Sequence, residues 1–187
     1  MIWITSDTHF CHNKEFIYKA RGFNSLEEME SFIINDWQKV QDDDVVYVLG
    51  DFFLGEDYAK INEILSKLKG KIYLLRGNHD TDAKMQYYTE IWGNKVKRVE
   101  HADDPIKYKN KRFMLSHYRM VTGSLETDPK HCVINLHGHE HTKNIFFEER
   151  PYFYNVCMDS HECKLISLDS VCDDIDNKIR DCLSYLK

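Results

Sequence analysis

Five short apolar runs in this chain each stop at a residue able to grip a metal ion, and that placement constrains the fold more than any other feature. Asp7 and His9 follow Ile2–Thr5, and Gly50-Asp51 follows residues 45–49. Gly77-Asn78-His79-Asp80 follows residues 72–75, His117 follows 113–116, and His137-Gly138-His139-Glu140-His141 follows 132–136. Runs of this length predict buried strands. In open α/β sheets the site forms beyond the carboxyl ends of the strands, so distant segments would meet on one rim.

Between these runs lie helical patterns. Ser25-Leu26-Glu27-Glu28 reads as a capping box, and Leu26, Met29, Ile33, Trp37 and Val40 recur behind it at helical spacing. Tyr58, Ile61, Ile64, Leu65 and Leu68 form a second stripe that stops at Gly70. A weaker helical pattern covers residues 81–92. Val171, Ile175, Ile179, Leu183 and Leu186 predict a closing helix. Further strands are expected at 95–99 and 152–156. Alternating strands and helices early, then consecutive strands, predict a layered α/β fold. With 187 residues, 42% of them hydrophobic, and only 8 Gly and 3 Pro, the chain reads as a single domain over residues 1–187. The remaining Met and aromatic residues read as core.

The ligand-type residues suit a pair of divalent cations. Imidazoles and carboxylates favour Mn, Fe, Zn, Co or Ni, and the lack of Cys among the five blocks argues against a closed structural zinc site. Two such ions about 3.5–4 Å apart can clamp a phosphoryl group and lower the pKa of a shared water. The charges also fit. Two aspartates and a hydroxide leave a pair of divalent ions with net positive charge, which attracts a phosphate and opposes the negative charge growing in the transition state. Each block alone has a plainer reading, as a strand-end turn, a polar hairpin or a helix start. All five together point to a metal centre.

In order, Asp7-x-His9, Gly50-Asp51, Gly77-Asn78-His79-Asp80, His117 and Gly138-His139-x-His141 resemble the five-motif signature of the calcineurin-like metallophosphoesterases. A finer likeness, carried by residues 6–10, 27–29 and 49–52, is to a compact prokaryotic and phage branch. The resemblance implies a four-layer α/β/β/α sandwich and a phosphoesterase that acts through a hydroxide bridging two divalent metals, with Mn the default. By the same likeness Asp7, His9 and His141 hold one ion, and Asn78, His117 and His139 the other. Asp51 bridges both. His79 contacts the phosphate as a catalytic residue, with Asp80 orienting its ring. The chain departs from that branch at Cys11, which precedes His12, and at Arg119, which follows His117-Tyr118; these positions bear on substrate choice. The rival reading is a catalytically silent scaffold, but such relatives typically lose ligands or the catalytic histidine, and this chain keeps both. An all-helical phosphohydrolase would need its His-Asp pair within helices, and a metallo-β-lactamase-like site would need a His-x-His-x-Asp-His string that is missing.

The formal net charge of −6 excludes a large basic footprint, so stable duplex nucleic-acid binding is not expected. The basic stretch 107–112 reads as a hairpin turn. The expected substrate is a small phosphoester, leaning to a phosphodiester such as a cyclic nucleotide or an oligonucleotide end, because no dedicated arginine cluster marks a monoester pocket. Six scattered cysteines, no leader and no long apolar segment place the chain in the cytoplasm, off the membrane. His12 and Arg21 follow the first motif and either reach the substrate phosphate or, the favoured reading, serve a structural role. His137 is either a buried core residue or a partner to a ligand, and His101, His131 and His161 are surface or turn residues.

Overall fold

The computed structural model describes residues 1–99, 105–121, 133–142 and 150–184. One sheet has the order β4-β3-β2-β1-β9, with β1 (Ile2–Thr5), β2 (Val45–Val48), β3 (Lys71–Leu75), β4 (Val96–Val99) and β9 (Ile166–Ser167). Its first four strands run parallel and β9 joins antiparallel. A second sheet has the order β5-β6-β7-β8, formed by Ile106–Tyr108, Lys111–Ser116, Val133–His137 and Phe153–Asn155. Here β6, β7 and β8 are parallel. The predicted turn between β5 and β6 is present: Lys109 and Asn110 both have positive φ, the requirement of a two-residue type I′ hairpin.

Among the described residues, α-helices accompany the sheets at α1 (Glu15–Tyr18), α2 (Leu26–Trp37), α3 (Tyr58–Lys67), α4 (Asp82–Ile91) and α5 (Leu168–Ser184). The N-terminus of α2 follows its sequence signal with one change. Ser25 Oγ accepts the Glu28 N–H at 3.1 Å, but Glu28 reaches back past the cap to the N–H of Asn24 at 2.7 Å. The helix 81–92 forms as expected, with Thr81 capping Lys84. Neither α1 nor β9 is signalled in the sequence, because four and two residues are too few to show a period.

Strand alternation divides the interior in two. Val46, Val48, Ile72 and Leu74 pack against Met29, Ile33 and Trp37 of α2, Ile61, Ile64 and Leu65 of α3 and Met85 and Tyr88 of α4. Side chains of the same sheet at Ile4, Leu49 and Leu75 meet Phe113, Leu115, Ile134 and Leu136 of the second sheet. Helix α5 adds Leu168, Val171, Cys172 and Ile175 to that second core. This is the mixed α/β architecture of two packed sheets with helices that the sequence predicts.

Among the described residues, several Met and aromatic side chains expected in the core are exposed instead, Met1, Phe16, Tyr118 and Met120 most strongly and Phe32 and Tyr58 less so. Met1, Phe16, Tyr118 and Met120 sit at the chain start, on loops or on a single helical turn, where no period directs them inward, whereas Phe32 lies on the outer face of α2 and Tyr58 at the first position of α3. Among the described residues, no helix is long and apolar enough to cross a membrane.

Candidate metal centre

Both parallel sets end on one rim, and backbone hydrogen bonds lace the strand exits together. Asp7 N–H donates to Gly50 O (3.0 Å), His9 N–H to Asp51 O (3.2 Å), Gly138 N–H to His117 O (3.0 Å) and Met158 N–H to Ser6 O (3.1 Å). The last of these, with an isolated bridge between Ser6 and Cys157, ties the first sheet to the second. Asp7, His9, Asp51, His139 and His141 all take left-handed φ values between 52° and 69°. Such a residue turns the chain sharply out of the extended strand. Non-glycine residues adopt it sparingly and at a cost of about 1–3 kcal/mol where the site is strained.

Asp7 is wholly buried, and its two oxygens differ. Oδ2 accepts the N–H of His139 at 2.9 Å and the S–H of Cys157 at 3.1 Å. Oδ1 is buried with no hydrogen-bond partner, and so is Nε2 of His9. These two atoms lie 3.8 Å apart, and His141 Nε2 is 3.7 Å from the same Oδ1. Those gaps are too long for hydrogen bonds. They suit ligands that each stand about 2.0–2.2 Å from a shared cation. Leaving a buried carboxylate oxygen unsatisfied costs about 1–3 kcal/mol or more, so the pair has the form of an ion site. Burial works against ionisation of Asp7, but His9, Ser6, the charge of His117 and the His139 N–H outweigh it and hold the carboxyl well below the usual range.

Asp51 stands at the middle. Its Oδ1 accepts the N–H of His79 at 2.9 Å. Its Oδ2 is 3.9 Å from His9 Nε2, 3.8 Å from His117 Nε2 and 4.0 Å from His79 Nε2. On its far side His117 Nδ1 is committed to Leu49 O at 2.8 Å, which turns Nε2 toward the site. The Asn78 side-chain oxygen lies 2.7 Å from His117 Nε2 and 2.8 Å from His139 Nδ1. Two groups of potential ligands result, Asp7 with His9 and His141, and Asp7 with Asp51 and His117. Five of the seven residues selected from the sequence fall in these groups, and Asn78 and His139 join them through the hydrogen bonds above; the donor set of imidazoles, carboxylates and one amide fits divalent cations.

The glycines of the motifs leave room for this convergence. A Cβ on Gly50, whose φ is +97°, would stand 2.5 Å from His117 Nδ1. A Cβ on Gly138 would strike Ser6 Oγ and come within 2.5 Å of Asp7 Oδ2.

The structure reassigns Asp80. The sequence reading has it orient the His79 ring; instead its carboxylate clamps backbone. Oδ2 accepts the N–H of Asp51 at 2.7 Å and of Gly77 at 2.9 Å, and Oδ1 lies 3.4 Å from the N–H of Phe52. It thereby joins the exits of β2 and β3. The His79 side chain is 55% exposed at the edge of the cluster.

His12, expected to be structural, lies with Nδ1 3.1 Å from His9 Nδ1, and burial followed by nearby positive charge brings its pKa down to about 4. His137 is buried and bonds Gly138 O at 3.1 Å, which is the core alternative. His161 Nε2 meets Asn155 O at 2.7 Å. His101 and His131 lie outside the described residues. Arg21 is structural, as expected, with its side chain 1% exposed.

Sequence reasoning missed Asp159 and Cys157, both of which touch proposed ligands. The signal was available, since they follow the strand expected at 152–156 just as the ligands follow theirs.

A metal-ready cluster of aspartate, histidine and asparagine at parallel strand exits of a two-sheet α/β fold defines the class of metal-dependent phosphoesterases. The chain belongs to the calcineurin-like phosphoesterase family, whose pattern it matches over residues 1–152. It is 32% identical over 176 residues to an uncharacterized protein of Methanocaldococcus jannaschii, covering 91% of this chain and 88% of the relative. It is 26% identical over 165 residues to the Gene 66 protein of Mycobacterium phage L5, covering 76% and 78%. The crystal structure of a protein of unknown function from Aquifex aeolicus superposes with a TM-score of 0.67 at 25% identity, covering 92% of this chain and 98% of that one.

Proposed function

We propose that the protein hydrolyses a small phosphodiester with two divalent metal ions, one held by Asp7, His9 and His141, the other by Asn78, His117 and His139, with Asp51 shared. The observation that carries this reading is the unpartnered, buried pair Asp7 Oδ1 and His9 Nε2 beside Asp51 Oδ2. When bound, the ions supply Lewis-acid polarisation of phosphoryl oxygens and a water with a pKa near neutrality, and Mn is the default ion.

The chain's own residues do the rest. The backbone lacing and the Asp80 clamp fix the ligands before substrate arrives, so little reorganisation is needed in the transition state. His79, at the exposed edge, presents its ring toward incoming phosphate and holds a proton at Nε2 for the departing oxygen.

The lean to diesters rests on the arginines. Arg21 pairs with Asp159 at 2.7 Å, Arg76 with Asp82 at 2.6 Å and Arg119 with Glu140 at 2.6 Å. Each guanidinium near the motifs is spent on a carboxylate, which leaves little extra positive charge for the second negative charge of a monoester. A cyclic nucleotide or an oligonucleotide end is the proposed substrate class. The test is turnover of p-nitrophenyl phosphate, its bis-ester and a phenylphosphonate ester with each candidate ion. Faster turnover of the bis-ester supports the reading, a strong preference for the monoester removes the diester assignment, and no turnover with any ion favours a silent scaffold.

A further inference from the structure

Asp159 belongs to the short 3-10 helix Met158–His161, past β8 and beyond the five motif blocks. Its carboxylate is engaged from two sides. Arg21, from the segment after α1, donates through Nε to Oδ1 at 3.0 Å and through Nη2 to Oδ2 at 2.7 Å, the two-pronged geometry that locks a carboxylate in plane. The same Oδ2 lies 2.9 Å from His141 Nδ1. Arg21 also donates to the carbonyls of Asp7 (2.7 Å) and Thr8 (3.1 Å). One buried guanidinium thus holds the first ligand loop and, through Asp159, the ring of the last ligand. His141 Nε2 is left 3.7 Å from the unpartnered Asp7 Oδ1.

We propose that Asp159 is a positioning residue for His141: it accepts the Nδ1–H, fixes that tautomer, and aims the Nε2 lone pair at the cation site shared with Asp7 and His9, with Arg21 as the anchor that keeps Asp159 in place. A neutral imidazole has one N–H and one lone pair, so a carboxylate on Nδ1 decides which nitrogen is free to ligate, and it raises the basicity of that nitrogen. Ser160 reinforces the arrangement by donating to His141 O at 3.2 Å. Removing Asp159 alone would strand a buried arginine, whereas replacing both members of a buried ion pair by apolar residues is often close to neutral for stability. The double replacement avoids a stranded charge but also releases the carbonyls of Asp7 and Thr8, so the His141 nitrogen shifts, rather than stability, report the positioning.

The inference rests on the two-metal reading for its consequence but not for its first observable. In metal-free protein labelled with 15N-histidine, long-range proton–nitrogen spectra should show His141 as a single Nδ1–H tautomer. In Asp159→Ala and in the double variant Arg21→Met/Asp159→Ala, its nitrogen shifts should move toward a tautomer mixture. Calorimetric titration with Mn should then show one of two sites weakened about 10- to 100-fold and the other unchanged. A wild-type His141 that is already a mixture or the Nε2–H form overturns the proposal, and so does a double variant with wild-type shifts and two wild-type affinities. Wild-type protein that shows the Nδ1–H tautomer yet binds no divalent ion leaves the positioning geometry in place and instead removes the two-metal function.

Discussion

At the residue scale the site is a set of strained, committed side chains whose free atoms point at one another. Five of the seven candidate ligands sit in the left-handed region of φ, a cost tolerated where function demands it. Asp51 Oδ2 lies 3.9 Å from His9 Nε2 and 3.8 Å from His117 Nε2, one from each proposed ion's ligands, so Asp51→Asn should lower metal content below one ion per chain and remove most turnover; full activity with two ions would refute the shared role. His79 ligates nothing in this account. His79→Gln should keep both metals while turnover falls by about a hundredfold or more, the usual scale for a lost acid–base group, and loss of metal would make His79 a ligand. These residues were legible in the sequence because their chemistry and their distance from a strand end are local properties. Asp159 shares that strand-end signal, since it follows the strand expected at 152–156, but its pairing with Arg21, 138 positions away, was not legible, because no spacing rule reports a contact of that range.

At the element scale, the strand exits are held together by groups that bind nothing themselves. Asp80 receives the buried N–H groups of Asp51 and Gly77 and so joins the ends of β2 and β3. Asp80→Ala leaves those donors without partners, at about 1–3 kcal/mol each. Urea denaturation should show a loss of roughly 2–6 kcal/mol, and an unchanged midpoint would mean that the clamp is dispensable. Gly138→Ala should act differently, forcing a methyl group against Ser6 and Asp7. It should weaken metal binding more than it destabilises the fold, as metal titration beside denaturation would show. The strands and helices with a full period or a continuous apolar run were readable to within a few residues. Strand β9 and helix α1 were not, since pairing with β1 alone defines one and a single turn the other.

At the scale of the whole molecule, two cores on opposite faces of the first sheet bring its parallel strand ends to a rim shared with the second sheet. That architecture followed from the alternation of strands and helices in the sequence, while the packing of α5 into the inter-sheet core did not, because an amphipathic stripe does not name its partner. Binding of ions to a site of folded geometry stabilises the whole chain by mass action. At free metal about a hundred times the dissociation constant this amounts to about 2.7 kcal/mol per site. For a chain of this size that corresponds to roughly 5–10 °C in Tm for each site, and about 10–20 °C for both together. Chelation should lower the melting temperature by that amount and readdition of Mn should restore it; a melting curve indifferent to both would show that no folded site is being filled.

The most direct test is elemental analysis of the purified, Mn-equilibrated protein alongside its Asp7→Ala variant. Two divalent ions per wild-type chain, falling to one or fewer in the variant, is the predicted result. A wild-type chain that holds no ion, or a variant that keeps two, would contradict a dinuclear centre built on the orphaned carboxylate of Asp7.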